Sequence, residues 1–195
     1  GTPPFGDGGN GSAQATDLLL DLSKSTVANT GSDSVIITVT ALDKSNTVAG
    51  AAVTVSADSD AIVTTPTSET GADGKLQSTL TIGPNRANRV ITVTATSGSV
   101  KQTATVQVFG AKIVGTLVPA VVEPGKAGNV QYRLVDQAGN PMVDQEVSVV
   151  ASGLTPSTAS GKTGANGDFV FAYTAPAAAG SYDVEVSAPL ALKLV

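Results

Sequence analysis

The chain has 195 residues, of which 41% are hydrophobic, 14% charged and 4% aromatic, and it carries a formal net charge of −5. It holds no Cys, His or Trp. That removes disulfides, thiolate nucleophiles, zinc fingers, Ser–His and Cys–His pairs and ordinary transition-metal sites. The acidic balance argues against a nucleic-acid partner, which needs a basic stripe.

Read in chain order, residues 1–15 come first, with Pro3-Pro4 and the run Gly6-Asp7-Gly8-Gly9-Asn10-Gly11-Ser12. Such a segment cannot bury enough apolar surface to order itself and reads as a disordered leader. From residue 16 onward the apolar period is two, and the 24 Thr and 26 Val residues favour pleated sheet. Strands are predicted around Val35-Ile37-Val39-Ala41, Val53-Val55, Leu76-Leu80-Ile82, Ile91-Val93-Ala95 and Val100 to Val108. A second set follows at Val130-Tyr132-Leu134, Val147-Val149, Phe169-Phe171-Tyr173 and Tyr182-Val184-Val186, with Leu190 to Val195 as a closing strand. Turn residues separate the strands at the spacing of a sandwich. No apolar run approaches the roughly 20 residues of a membrane-spanning helix.

The second set repeats the first. Thr70-Gly71-Ala72-Asp73-Gly74 recurs as Thr163-Gly164-Ala165-Asn166-Gly167, and Asp43, which ends an apolar run, recurs as Asp136. Duplication of one unit explains the common offset. The expected architecture is all-β: two tandem antiparallel sandwiches without disulfides, each of about seven strands, at 16–110 and 111–195. Asp43, Asp136, Gly71, Gly74, Gly164 and Gly167 are expected at structural turns, the glycines supplying positive φ. Phe109 and Gly110 mark the junction, where the Phe109 ring is expected to pack. So short a connection suggests a monomeric, end-to-end rod.

The order of apolar strand, Asp, Gly/Asn-rich turn, short Val strand and Thr-Gly-Ala-Asp/Asn-Gly resembles the group 1 bacterial Ig-like domains of the invasin and intimin surface proteins. The stretches that carry the resemblance are Asp43–Val55 with Thr70–Ile82, and Asp136–Val149 with Thr163–Tyr173. It implies Ig-like sandwiches in tandem on a bacterial surface. The receptor-binding terminal domain of those adhesins has no counterpart here, so receptor binding does not carry over.

Candidate chemistry is sparse. Asp58, Asp60 and Asp73 are weak calcium candidates, since the cation wants six to eight oxygens and only two acids adjoin; solvated turns are the plainer expectation. Gly161-Lys162-Thr163 lacks the upstream Gly of a phosphate-binding loop, with Pro156 in its place. Tyr132, Tyr173 and Tyr182 sit in phase with apolar neighbours and are expected in the core or semi-core, not as a carbohydrate stack. Arg86 and Arg89, within Gly83-Pro84-Asn85-Arg86-Ala87-Asn88-Arg89, form the best candidate recognition loop. The leading expectation is a non-catalytic extracellular spacer with no cofactor, in an adhesin-like protein of the bacterial surface. The alternatives are a module binding a host protein or glycan through sandwich-end loops, and accessory domains of a secreted enzyme.

Overall fold

The structure, a computed structural model, describes residues 13–116 and 121–188. Residues 1–12 of the expected leader and the expected closing strand, Leu190 to Val195, lie outside the described residues. Ala13 already bridges Ala51, and Ala15 is buried.

All regular structure among the described residues is β. The strands are β1 (Asp17–Leu22), β2 (Thr26–Ala28), β3 (Val35–Asp43), β4 (Asn46–Thr47), β5 (Thr54–Ala57), β6 (Ile62–Thr64), β7 (Lys75–Thr81), β8 (Arg89–Ser97) and β9 (Val100–Phe109) in the first repeat. The second repeat has β10 (Lys112–Thr116), β11 (Ala127–Val135), β12 (Glu146–Val150), β13 (Thr158–Lys162), β14 (Asp168–Thr174) and β15 (Glu185–Ser187). The first repeat forms one sheet of order β1-β3-β7-β6, with β4 on β3, and one of order β2-β9-β8-β5; the second forms β10-β11-β14 and β13-β12-β15. These are two Ig-like sandwiches, and neither has a disulfide. β2 departs from the antiparallel pattern and runs parallel to β9, with Val27 opposite Val108, and the Ala13–Ala51 bridge is parallel too.

By packing, the residues gather into two compact units that are not two halves of the chain. One takes in residues through Ser25, Val35–Leu80 and Thr92–Thr105; the other takes in Thr26–Ser34, Thr81–Ile91 and the residues from Val106 on. Period-two alternation builds the core of each. In the first unit Leu18, Val35, Ile37, Val39, Leu76, Leu80 and Val93 are essentially inaccessible; in the second Tyr132, Leu134, Val147, Val149, Phe171 and Val186 are buried together. Burying each aliphatic side chain contributes about 1.5–3 kcal/mol.

The segment between β5 and β7 and its counterpart between β12 and β14 pair with different sheets, and proline sets where. In the first repeat β6 pairs with β7, and the chain then crosses so that Glu69 bridges Ala52. In the second, only Thr155 bridges β14, at Thr174, before β13 pairs with β12 over five residues. Pro156, following Thr155, has no N–H to donate toward β14, whereas Thr158–Lys162 is free of proline. In the first repeat the positions are reversed: Ile62–Thr64 has every donor, and Pro66 interrupts the segment that meets the strand start at Ala52.

Candidate functional site

The turns that carry the repeated pentapeptide are the same device built twice. The Gly71 N–H donates to Lys75 O and the Gly74 N–H to Gly71 O, both at 2.9 Å; Gly164 to Asp168 O and Gly167 to Gly164 O match them at 2.9 Å. Gly74 and Gly167 both have φ of 72°, and a Cβ on Gly167 would stand 2.5 Å from Leu134 O. Gly71 and Gly164 are outside the positive-φ region, which corrects the expectation for these two; their part is the turn hydrogen bonds. The buried Thr of each pentapeptide does more than its sequence position suggests. Thr70 Oγ1 donates to Val48 O at 2.6 Å and accepts from Ala51 N–H at 3.0 Å; Thr163 Oγ1 donates to Met142 O at 2.6 Å and accepts from Gln145 N–H at 3.0 Å. Their recurrence in the repeat was the available signal.

Asp43 and Asp136 end equivalent strands but sit in different turns. After Asp43, Lys44 and Ser45 both take positive φ (48° and 74°), making a two-residue hairpin into β4. The second repeat has one more residue here, and the loop closes through Asp136 N–H to Asn140 O at 2.9 Å with Gly139 at φ 86°. That longer loop turns the Ala138 and Asn140 N–H groups onto Asp136 Oδ1, each at 2.9 Å. Asp136 Oδ2 accepts from Asn140 Nδ2 and from Arg86 Nη1, both at 3.1 Å. The carboxyl is fully buried. Burial alone would raise its pKa, but the Asn140 and Ala138 hydrogen bonds and the Arg86 charge outweigh it and hold the group below the usual carboxylate range. Asp43 is half-buried and accepts from Thr16 Oγ1 at 3.2 Å.

Around Asp136, within the second unit, lies a dense polar cluster. Buried Asn29 donates through Nδ2 to Arg86 O at 2.8 Å and accepts from Gln137 N–H at 2.8 Å. Asn88 pairs with the backbone of Ala111 in both directions, at 2.8 and 3.2 Å. Gly110, at φ 119°, passes so close that a Cβ would stand 2.5 Å from both Asn29 Oδ1 and Gln137 Cβ. Asn29 and Asn88 carried no sequence signal, since their partners are backbone groups far along the chain. Arg89 is 6% exposed and donates to three carbonyls: Asn85 O at 2.6 Å, Ala87 O at 3.0 Å and Ile82 O at 2.7 Å. Arg86 keeps 40% of its side chain exposed. Loop 83–89 is thus folded around Arg89, while Arg86 reaches out of it to Asp136.

Phe109 retains 39% exposure instead of packing, because it is out of phase with the inward-facing Val106 and Val108. Asp58 lies in a turn where Ser59 and Asp60 take positive φ; its Oδ1 accepts from Thr92 N–H at 2.7 Å, and that bond leads the effects lowering its pKa. Asp73 Oδ1 accepts from Lys75 N–H at 3.0 Å. Among the described residues no three acidic side chains converge on a point that could hold a metal ion. Tyr132 is buried, and desolvation followed by Tyr173 raises its pKa. Tyr182 is 37% exposed and precedes β15, so it lies outside the core and semi-core expected for it.

No protein-family model matches the chain, and no curated protein matches it. Among solved structures it is similar to the adhesin InvE of Yersinia pseudotuberculosis, at 18% identity and a TM-score of 0.62, over 93% of this chain and 58% of that one. It is also similar to invasin, a bacterial integrin-binding protein, at 18% identity and TM-score 0.48 over 91% of this chain and 38% of that one. The Escherichia coli adhesin FdeC gives 18% identity and TM-score 0.43 over 91% and 60%. The chain therefore spans 58% of the InvE structure's length. The likeness to InvE shows a shared Ig-like sandwich fold.

Proposed function

We propose that these sandwiches are group 1 bacterial Ig-like modules acting as a non-catalytic extracellular spacer in an adhesin-like surface protein. The observation that carries this reading is how the polar side chains are used. Loop 83–89, where the arginines cluster, is committed to its own carbonyls and to Asp136. Asn29, Asn88, Thr70 and Thr163 likewise serve backbone groups of the chain. Polar atoms used this way hold a scaffold and are not presented to a ligand. The likeness to InvE supports the fold on which the reading rests.

A second reading, recognition of a host protein or glycan through loop 83–89, is favoured by the exposed part of Arg86. Display on a bacterium separates the two. As a spacer, the pair inserted between a surface anchor and a known receptor-binding domain sustains attachment to receptor-coated surfaces, and the pair displayed alone confers none. Attachment to host cells by the pair alone, abolished by Arg86→Ala, overturns the spacer reading.

A further inference from the structure

The two pentapeptide turns share one frame and differ at one position that matters chemically: the first reads Asp73-Gly74, the second Asn166-Gly167. Asp73 and Asn166 are both exposed, and the glycine after each is buried at φ 72°. An Asn followed by Gly is special because glycine has no Cβ to shield its nitrogen from the neighbouring side-chain amide. Among the described residues, Asn29, Asn46, Asn85, Asn88, Asn129 and Asn140 are each followed by a residue that bears a side chain.

The first repeat shows how this turn holds an acid. Asp73 Oδ1 accepts from Lys75 N–H at 3.0 Å while the Gly74 N–H keeps its 2.9 Å bond to Gly71 O. The second repeat presents the same frame, with the Gly167 N–H on Gly164 O and Asp168 in the place of Lys75. It adds a cation, since the exposed Arg133 donates through Nε to Asn166 O at 2.8 Å. An acid formed at Asn166 therefore meets a fold that already accommodates one at the equivalent place, and a guanidinium bonded to the same residue.

We propose that Asn166 is a site of spontaneous deamidation, which converts the second turn to the Asp-Gly sequence of the first. The Gly167 nitrogen attacks Asn166 Cγ. A new N–Cγ bond closes a cyclic imide, the Cγ–Nδ2 bond breaks, and Nδ2 leaves as ammonia with the proton that the Gly167 nitrogen gives up. Water then adds to the imide at Cγ and breaks the bond to nitrogen, restoring the main chain with an aspartate. One water is consumed, one ammonia is released, and nothing is oxidised or reduced. The attack requires the Gly167 N–H to leave Gly164 O, so the reaction runs from the locally opened turn. Water adding at the main-chain carbonyl instead gives isoaspartate, which lengthens the backbone. A turn in which a Cβ on Gly167 would stand 2.5 Å from Leu134 O cannot close around that product, whereas it closes around aspartate as it does at Asp73. The formal charge of −5 gains one further negative unit.

Incubation of the full chain at mildly alkaline pH, followed by trypsin digestion and mass spectrometry, tests this. The peptide that follows Lys162 runs to Lys193 with Asn166 as its sole side-chain amide, so the mass gain of an amide-to-acid exchange there reports this residue alone. Asn166 should convert roughly tenfold or more faster than any of Asn29, Asn46, Asn85, Asn88, Asn129 and Asn140, and Asn166→Gln should remove the gain. The Asn166→Asp variant should unfold at the thermal midpoint of the parent, as the first repeat leads one to expect. Conversion at Asn166 no faster than at those other asparagines, or none while the urea-unfolded chain converts, overturns the proposal. So does a clearly lower midpoint for Asn166→Asp, which would mean that the second turn does not accept the acid.

Discussion

Single side chains settle most of what is distinctive here, and Asp136 is the clearest case. Its carboxylate receives four donors in a fully buried position. The folded pKa lies below the unfolded one, so the stabilisation is fully present above the ordinary carboxylate pKa and is lost as pH falls through the folded value. Asp136→Asn should destabilise the protein by about 2–4 kcal/mol at neutral pH, since it removes the charge and places an amide donor against existing donors. Urea unfolding should show the gap between variant and parent closing as the pH drops below the ordinary carboxylate range. Thr163→Val isolates a neutral counterpart: it strands the Met142 carbonyl and the Gln145 N–H at a cost of about 2–3 kcal/mol, independent of pH between 4 and 8. The repeat marked Asp136 as a turn residue and carried Thr163 as a recurring one, but it did not show the partners of either. Arg89 read as a recognition residue because a sequence cannot show a guanidinium donating to the carbonyls of its own loop.

At the scale of strands and turns the sequence was far more informative. Period-two alternation located the long strands β3, β8, β9, β11 and β14, because each buries one face and wets the other. It failed where pairing, not pattern, decides: Tyr182 is in phase with Val184 and Val186, yet β15 pairs only from Glu185 to Ser187. The parallel β2 and the sheet-switching β6 and β13 left no periodic trace. The one-residue difference after Asp43 and Asp136 was visible, but its effect, a buried carboxylate in one copy and a half-buried one in the other, follows from which N–H groups the longer loop redirects. The shorter loop carries strain, with Lys44 and Ser45 both at positive φ. Replacing Lys44-Ser45 with Asn-Gly should raise stability by about 1–2 kcal/mol, read as a higher thermal midpoint. An unchanged midpoint would mean that the loop relaxes at no cost.

For the molecule as a whole, the sequence pointed to a split near Gly110, but the compact units do not follow it, because Thr26–Ser34 and Thr81–Ile91 join the residues from Val106 on through contacts remote in the chain. A fragment of residues 111–195 lacks Asn29, Arg86 and Asn88, and so leaves Gln137 N–H, Asp136 and the Ala111 backbone without the partners they have in the full chain. Its thermal unfolding should fall short of the corresponding transition of the full chain by about 2–4 kcal/mol. Equal stability would assign those hydrogen bonds no net value.

Gly110 gives the cluster a further meaning. Its backbone fits against Asn29 and Gln137 only because it has no side chain, so the stretch that copied once into two repeats is cut at a residue that cannot be exchanged. What was inherited as a duplicate and what folds as a unit have different borders. A lineage that lengthened such an array by whole repeats would have to carry Asn29, loop 81–91, Gly110 and the Asp136 loop together, for a graft that brought only one side would strip Asp136 of Arg86 and Asn29 of its bonds to Arg86 and Gln137.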